Sequence, residues 1–267
     1  MAKYKKKRAR ELRHDRFRDT TMGLFDRLGN LLEGRGRTIL YGLGGLLLAS
    51  LLVIFLVKWS NRKNDEARQA LGRAITISNA AVFSSSVAGT TELTFGSEKE
   101  KAQKAIEEFE KVVAKYGEPY RSESRYMIAV NRLSLDRPKG ISELSELANS
   151  GVPEVAALSK FALAQANESD GKLDDAAKLY TDLSKLNSAT VTQDTANLRL
   201  AKVYEKQGKK KEAADLLFSI VDSARKAKGT DNLPLPISSA AREAADELKK
   251  LDPDRHAQLP PETSLAG

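Results

Sequence analysis

The chain contains no cysteine, and its only two histidines, His14 and His256, stand near opposite ends of the 267 residues. The first absence excludes disulfides, zinc-thiolate sites and a lipidated N-terminal cysteine, and it suits an oxidising compartment. The second leaves no histidine cluster for acid–base or metal chemistry. No Ser, Asp or Glu falls in a nucleophile or metal motif, and the glycines of "YGLGG" lie inside an apolar run rather than after a strand. Carboxylates are plentiful but fall on solvent faces of helical patterns. The expectation is a protein that is not an enzyme, with no catalytic residue, metal, cofactor or small-molecule substrate.

Charge is missing from one stretch. Charged residues make up 30% of the chain, yet Ile39 to Val57 is a run of nineteen residues without one. As a helix rising about 1.5 Å per residue the run spans roughly 28 Å, close to the hydrocarbon thickness of a bilayer. Tyr41 at one end, and Lys58 with Trp59 at the other, stand where a membrane interface places aromatic and cationic side chains. Buried core helices rarely avoid charge for so long. A cleaved secretory signal is disfavoured by the 38 residues ahead of the run and by the lack of a small-x-small cleavage pattern after Val57. Residues 39–59 are therefore expected to form one transmembrane helix in contact with the lipid bilayer.

The formal net charge of +8 is distributed unevenly. Residues 1–38 hold 12 Lys and Arg against 5 Asp and Glu, a net of +7, whereas residues 39–267 hold 32 against 31. A basic tail favours a cytoplasmic N-terminus. The immediate flanks disagree, with Lys58, Arg62, Lys63, Arg68 and Arg73 after the run against Arg27, Arg35 and Arg37 before it. The short tail is the kind of loop to which the rule applies, and long domains are translocated largely regardless of charge. Within this tail "MAKYKKKRARELRHDRFR" is a basic arm suited to a topology signal, anionic lipid headgroups or RNA phosphates. Leu24, Phe25, Leu28, Leu31 and Leu32 then form the apolar stripe of a possible surface helix.

Beyond the run, apolar residues recur at helical spacing and nowhere in sustained alternation, so the fold class is all-α. "FALAQANESDGKLDDAAKLYTDL" from Phe161 and "LRLAKVYEKQGKKKEAADLLFSI" from Leu198 match at a constant shift of 37. Leu163/Leu200, Ala164/Ala201, Gly171/Gly208, Ala176/Ala213 and Ala177/Ala214 are identical pairs. The alanines let two helices cross closely, the glycines allow a tight reversal, and Tyr180 and Leu217 fill the space between hairpins. Three to four hairpins are expected, with "GTTELTFGSE" breaking the helical pattern after the first helix. The domain map is a basic tail over 1–38, the transmembrane helix over 39–59, a helical repeat domain over 60–225, and a linker with a capping helix over 226–251. Residues 252–267 are expected to be a disordered end.

The repeat resembles the tetratricopeptide repeat, carried by Leu163, Ala164, Gly171, Ala176 and Tyr180 and by Leu200, Ala201, Tyr204, Gly208 and Ala213. Neither unit has that family's early Trp or terminal Pro. The order of basic tail, single span and repeat pairs is similar to the single-pass ancillary subunits of the bacterial Sec translocon, the YfgM type. The long basic arm and the Pro-rich end depart from that pattern. The resemblance implies a bacterial inner-membrane protein with a periplasmic repeat domain, associated with the SecYEG channel and a membrane-anchored periplasmic chaperone. It also implies a protein-binding groove lined from the first helix of each unit, here Phe161, Gln165 and Glu168, then Leu198, Lys202 and Glu205. Two other roles fit the sequence: an envelope scaffold for division or outer-membrane assembly, and an RNA or ribosome binder acting through the basic arm. Nucleic acid is the less favoured partner, because the excess charge is confined to the tail.

Overall fold

One helix takes in the whole uncharged run and continues without a break into the charged sequence beyond it. In the computed structural model, which describes residues 36–83, 93–186 and 188–262, helix α1 covers Gly36–Ser78. The basic arm, the stripe around Leu28 and the side chain of Tyr41 lie outside the described residues. Leu46, Leu51, Ile54 and Phe55 are exposed on α1, and Lys63 Nζ stands 4.1 Å from the centre of the half-exposed Trp59 ring. Among residues whose side chains are described, no helix is long and apolar enough to cross a membrane. Residues 36–45, 48 and 57, which belong to or adjoin the uncharged run, fall outside that set.

The chain divides at Asp65 into two units, residues 1–65 and 66–267. In the second unit the end of α1 is followed by strand β1 (Ala81–Val82), β2 (Thr94–Phe95) and helix α2 (Glu98–Lys115). Next come α3 (Tyr120–Arg132), α4 (Arg137–Leu147), α5 (Pro153–Ser169) and α6 (Leu173–Ser184). The chain continues with α7 (Gln193–Lys206), α8 (Lys210–Lys226), α9 (Ser239–Leu251) and the single turn α10 (Pro253–His256). Most starts are marked in the sequence. The side chains of Ser97, Asp136, Thr192, Ser238 and Asp252 each accept a hydrogen bond from a backbone N–H in the first turn of the helix that follows, satisfying donors that the helix itself cannot.

Successive helices pair, and the core is shared three at a time. The first apolar cluster joins Ala74 of α1, Ala105 and Phe109 of α2 and Ile128 of α3. The second takes Ala129 of α3, Leu144 and Leu147 of α4 and Val155 and Leu163 of α5. Ala164, Ala176, Tyr180, Leu183 and Val203 build the third from α5, α6 and α7. Leu217 and Ile220 of α8 meet Leu198 of α7 and Ala241, Ala244 and Leu248 of α9 in the fourth. The described residues form a helical-hairpin solenoid of four pairs, closed by α9. Arg242, Asp246, Lys249 and Lys250 give α9 a polar outer face, as the end of a stack requires.

The two matched units also share their turns. Gly171 N–H donates to Glu168 O and Lys172 N–H to Asn167 O, and 37 residues later Gly208 donates to Glu205 O and Lys209 to Tyr204 O. This double bond pattern ends a helix through one residue in the left-handed region. Gly171 and Gly208 sit there at φ 73° and 76°.

The all-α reading holds for the repeat domain, one expectation is corrected, and one local detail is added: β1 and β2 pair in parallel, with Ala81 opposite Thr94 and Val82 opposite Phe95. The β-branched and aromatic residues at those positions suit a strand, and the pair is too short to leave a periodic signal. Residues 252–262 were expected in a disordered end, yet they fold onto the fourth cluster. Leu259 is buried in it, Arg225 donates to Pro260 O, and Arg255 pairs with Asp215 while its guanidinium lies 5.3 Å from the Phe218 ring centre. One apolar anchor and one two-sided arginine hold a segment whose composition signals neither.

Replacing Gly171 or Gly208 by Ala should each cost about 1 kcal/mol, the penalty of a Cβ in the left-handed region. Gly72→Ala should instead stabilise by up to about 1 kcal/mol, since Gly72 is helical and a Cβ there meets nothing within 4 Å. Urea titration of the full-length variants measures all three.

Candidate protein-binding site

The first helices of adjacent pairs, α5, α7 and α9, lie next to one another and are laced by polar contacts. Lys206 Nζ of α7 reaches Glu168 Oε1 of α5 at 2.5 Å, and Lys202 of α7 pairs with Glu243 of α9. Ser238 Oγ donates to Asp194 Oδ2 at 3.3 Å. Such partly exposed ion pairs contribute little energy, typically under about 1 kcal/mol each. Their value is positional, since they fix long side chains along one face.

The six expected groove residues divide into three groups on this face. Gln165 and Glu205 are exposed. Phe161, Glu168 and Lys202 are half-buried and already engaged. The Phe161 ring meets Tyr180 edge-on, with centroids 5.7 Å apart at 67°. Glu168 accepts from the Tyr180 hydroxyl at 3.2 Å besides pairing with Lys206. Leu198 is not a groove residue. It is buried between α7, α8 and α9, because the capping helix continues the stack over the side of α7 that bears it. Lys206 and Glu243 complete the polar lacing and were not expected. Lys206 directly follows a matched position, whereas Glu243 lies outside the repeated units, where no spacing points to it. Of the interface residues on α1, Lys58 and Trp59 are exposed.

Environment shifts two titrating groups at this face, Tyr180 and Glu243, and one on α3, Glu123. Burial and the neighbouring Glu168 push the Tyr180 phenol up, so it stays a neutral donor. Burial, helped by Glu118, raises the Glu123 carboxyl. The hydrogen bond from Lys202 lowers Glu243. Among the described residues no group of three His, Cys, Asp or Glu side chains is placed to hold a metal ion.

The raised and lowered carboxyls predict opposite pH dependences. Glu123 binds its proton more tightly folded than unfolded, so its contribution favours folding in acid and is lost as pH rises through the folded pKa. Glu123→Gln should therefore be as stable as the parent or more so at pH 7, with the gain gone below about pH 4. Glu243 contributes above its unfolded pKa and loses that contribution as pH falls through the folded one. Glu243→Gln should be destabilised at pH 7 and match the parent in acid, as urea midpoints at the two pH values would record.

No protein-family model and no curated protein sequence matches the chain. Among solved structures, the chain is similar to the nearly identical TPR-like repeats of a kinesin light chain from Podosopora anserina. The two share 18% sequence identity over 70% of this chain and 85% of that one, with a TM-score of 0.47.

Proposed function

We propose that this protein is a membrane-anchored adaptor that binds other polypeptides through the first-helix face of its hairpin stack. The observation that carries the reading is the row formed by α5, α7 and α9, along which the cross-pair contacts of Glu168, Lys206, Lys202 and Glu243 fix the polar side chains. Exposed Gln165 and Glu205 stand on that face beside the half-buried Phe161. A preformed row of this kind offers a second chain several contacts without reordering its own backbone.

The anchor in this proposal is the uncharged run within α1, with the basic tail in the cytoplasm and the hairpin domain in the periplasm of a bacterial inner membrane. The exposed apolar side chains of Leu46, Leu47 and residues 51–56 and the Trp59–Lys63 pair support it. Tethering raises the effective concentration of partners handled at the membrane, so a weak groove suffices. The partners proposed are the SecYEG channel and a membrane-anchored periplasmic chaperone, which makes the chain an ancillary, non-enzymatic subunit in the biogenesis of secreted proteins.

A photocrosslinking residue placed at Gln165 or Glu205 in intact membranes should capture translocon or chaperone polypeptides, and one placed at Lys250 on the capping helix should not. Division or outer-membrane assembly proteins in their place would transfer the reading to an envelope scaffold. The protein should also stay with vesicles washed in alkaline carbonate, and protease added outside spheroplasts should digest the hairpin domain. Release by carbonate, or full protection of the domain, would remove the anchor and the compartment together.

A further inference from the structure

The opposite side of the stack carries a second surface, between the second helices of the first two pairs. There α2 and α4 stand apart with α3 as the floor between them, leaving a trough of two adjoining clefts of about 520 and 280 Å³. Ile106 and Leu135 line the larger cleft, and Val113, Ile128 and Leu147 the smaller. Arg132, rising from α3, lines both and separates them. Its guanidinium pairs with Glu143 of α4 and stands 3.6 Å from Glu110 of α2, so a single cation crosses the trough to two carboxylates.

The charges along the two clefts do not balance. Five carboxylates line them against three cations, and Lys104 pairs with Glu107 at 2.8 Å, which leaves one carboxylate in excess. Arg125 is committed to Glu146 at 2.8 Å, and Arg132 is shared. Glu143 Oε2 is buried and has no hydrogen-bond partner, a position a carboxylate oxygen does not keep cheaply. On the α2 rim Glu110 is exposed, with only the long contact to Arg132.

We propose that this trough docks a partner segment carrying two apolar side chains flanked by lysine or arginine. The apolar residues enter the two clefts on either side of Arg132. A flanking cation meets Glu110 on the exposed rim, which Arg132 reaches only at 3.6 Å, while Glu143 neutralises Arg132 between the clefts. Ile106 and Val113 are seven residues apart on one helix, so the anchors must be separated by about 10 Å. In a polyproline II segment, which rises about 3.1 Å per residue and returns to the same face every third residue, that corresponds to about three residues. The surface is distinct from the Gln165 face and does not depend on it.

The test uses the full-length chain in non-ionic detergent with two fluorescein-labelled peptides, Gly-Lys-Leu-Lys-Lys-Leu-Lys-Gly and Gly-Glu-Leu-Glu-Glu-Leu-Glu-Gly, followed by anisotropy. The lysine peptide should bind and the glutamate peptide should not. Glu110→Lys, on the exposed rim, should weaken binding by at least fivefold with an unchanged circular dichroism spectrum, and Glu143→Gln should weaken it as well. Gln165→Ala, on the other face, should leave it unaltered. Equal binding of the two peptides, or full binding to the Glu110→Lys variant, would overturn the proposal. So would a concentration-dependent dimer, seen by sedimentation, that Glu110→Lys abolishes, because the occupant would then be a second copy of the chain.

Discussion

Two helices can approach only as closely as the side chains between them permit, and in this domain alanine sets that limit. Ala164, Ala176, Ala201 and Ala213 are almost completely buried at the crossings within the matched pairs. With no side chain beyond Cβ, they let the helix surfaces interlock at short range. Larger residues then enter the gaps between pairs, with Tyr180 in one unit and Leu217 at the same point in the next. The stack follows from this alternation. Small residues bring two helices together, and a large residue fastens the pair to the one after it.

The polar contacts act on a frame already built. Lys206–Glu168 and Lys202–Glu243 lie at the margin of the first-helix face, where water competes for every charge. Tyr180 is the exception, because its ring is fully buried while its hydroxyl reaches Glu168 at the edge. That one side chain ties the core to the polar row: the packing of α6 determines where the Glu168 carboxylate sits, and Glu168 in turn receives Lys206 from the next pair.

Much of this was legible in the sequence, for reasons that differ from residue to residue. The shift of 37 exposed Ala164, Gly171 and their counterparts, since close crossings and left-handed turns admit few residue types. The pair α3–α4 left a weaker trace. Its turn is ended by the Asp136 cap and has no glycine in the left-handed region, so it lacks the marker that made the other turns visible. Leu198 was misjudged because its surroundings depend on α9, a helix outside the repeated units. The fold of residues 252–262 was hidden for a related reason, since Leu259 acquires its meaning only from the cluster it enters. Local chemistry could be read along the chain, whereas long-range coverage could not.

The buried helical residues of each apolar cluster come from three neighbouring helices, and the fourth cluster adds Leu259 from the segment that folds back after α10. Cohesion in such an array passes only from one link to the next, so loosening begins at the extremities and advances inward, and amide protons in the middle pairs exchange most slowly. Leu259 and Arg255 close one extremity like a clasp. A protease that cut just ahead of them would unfasten the array from that side while leaving the central helices intact for longest.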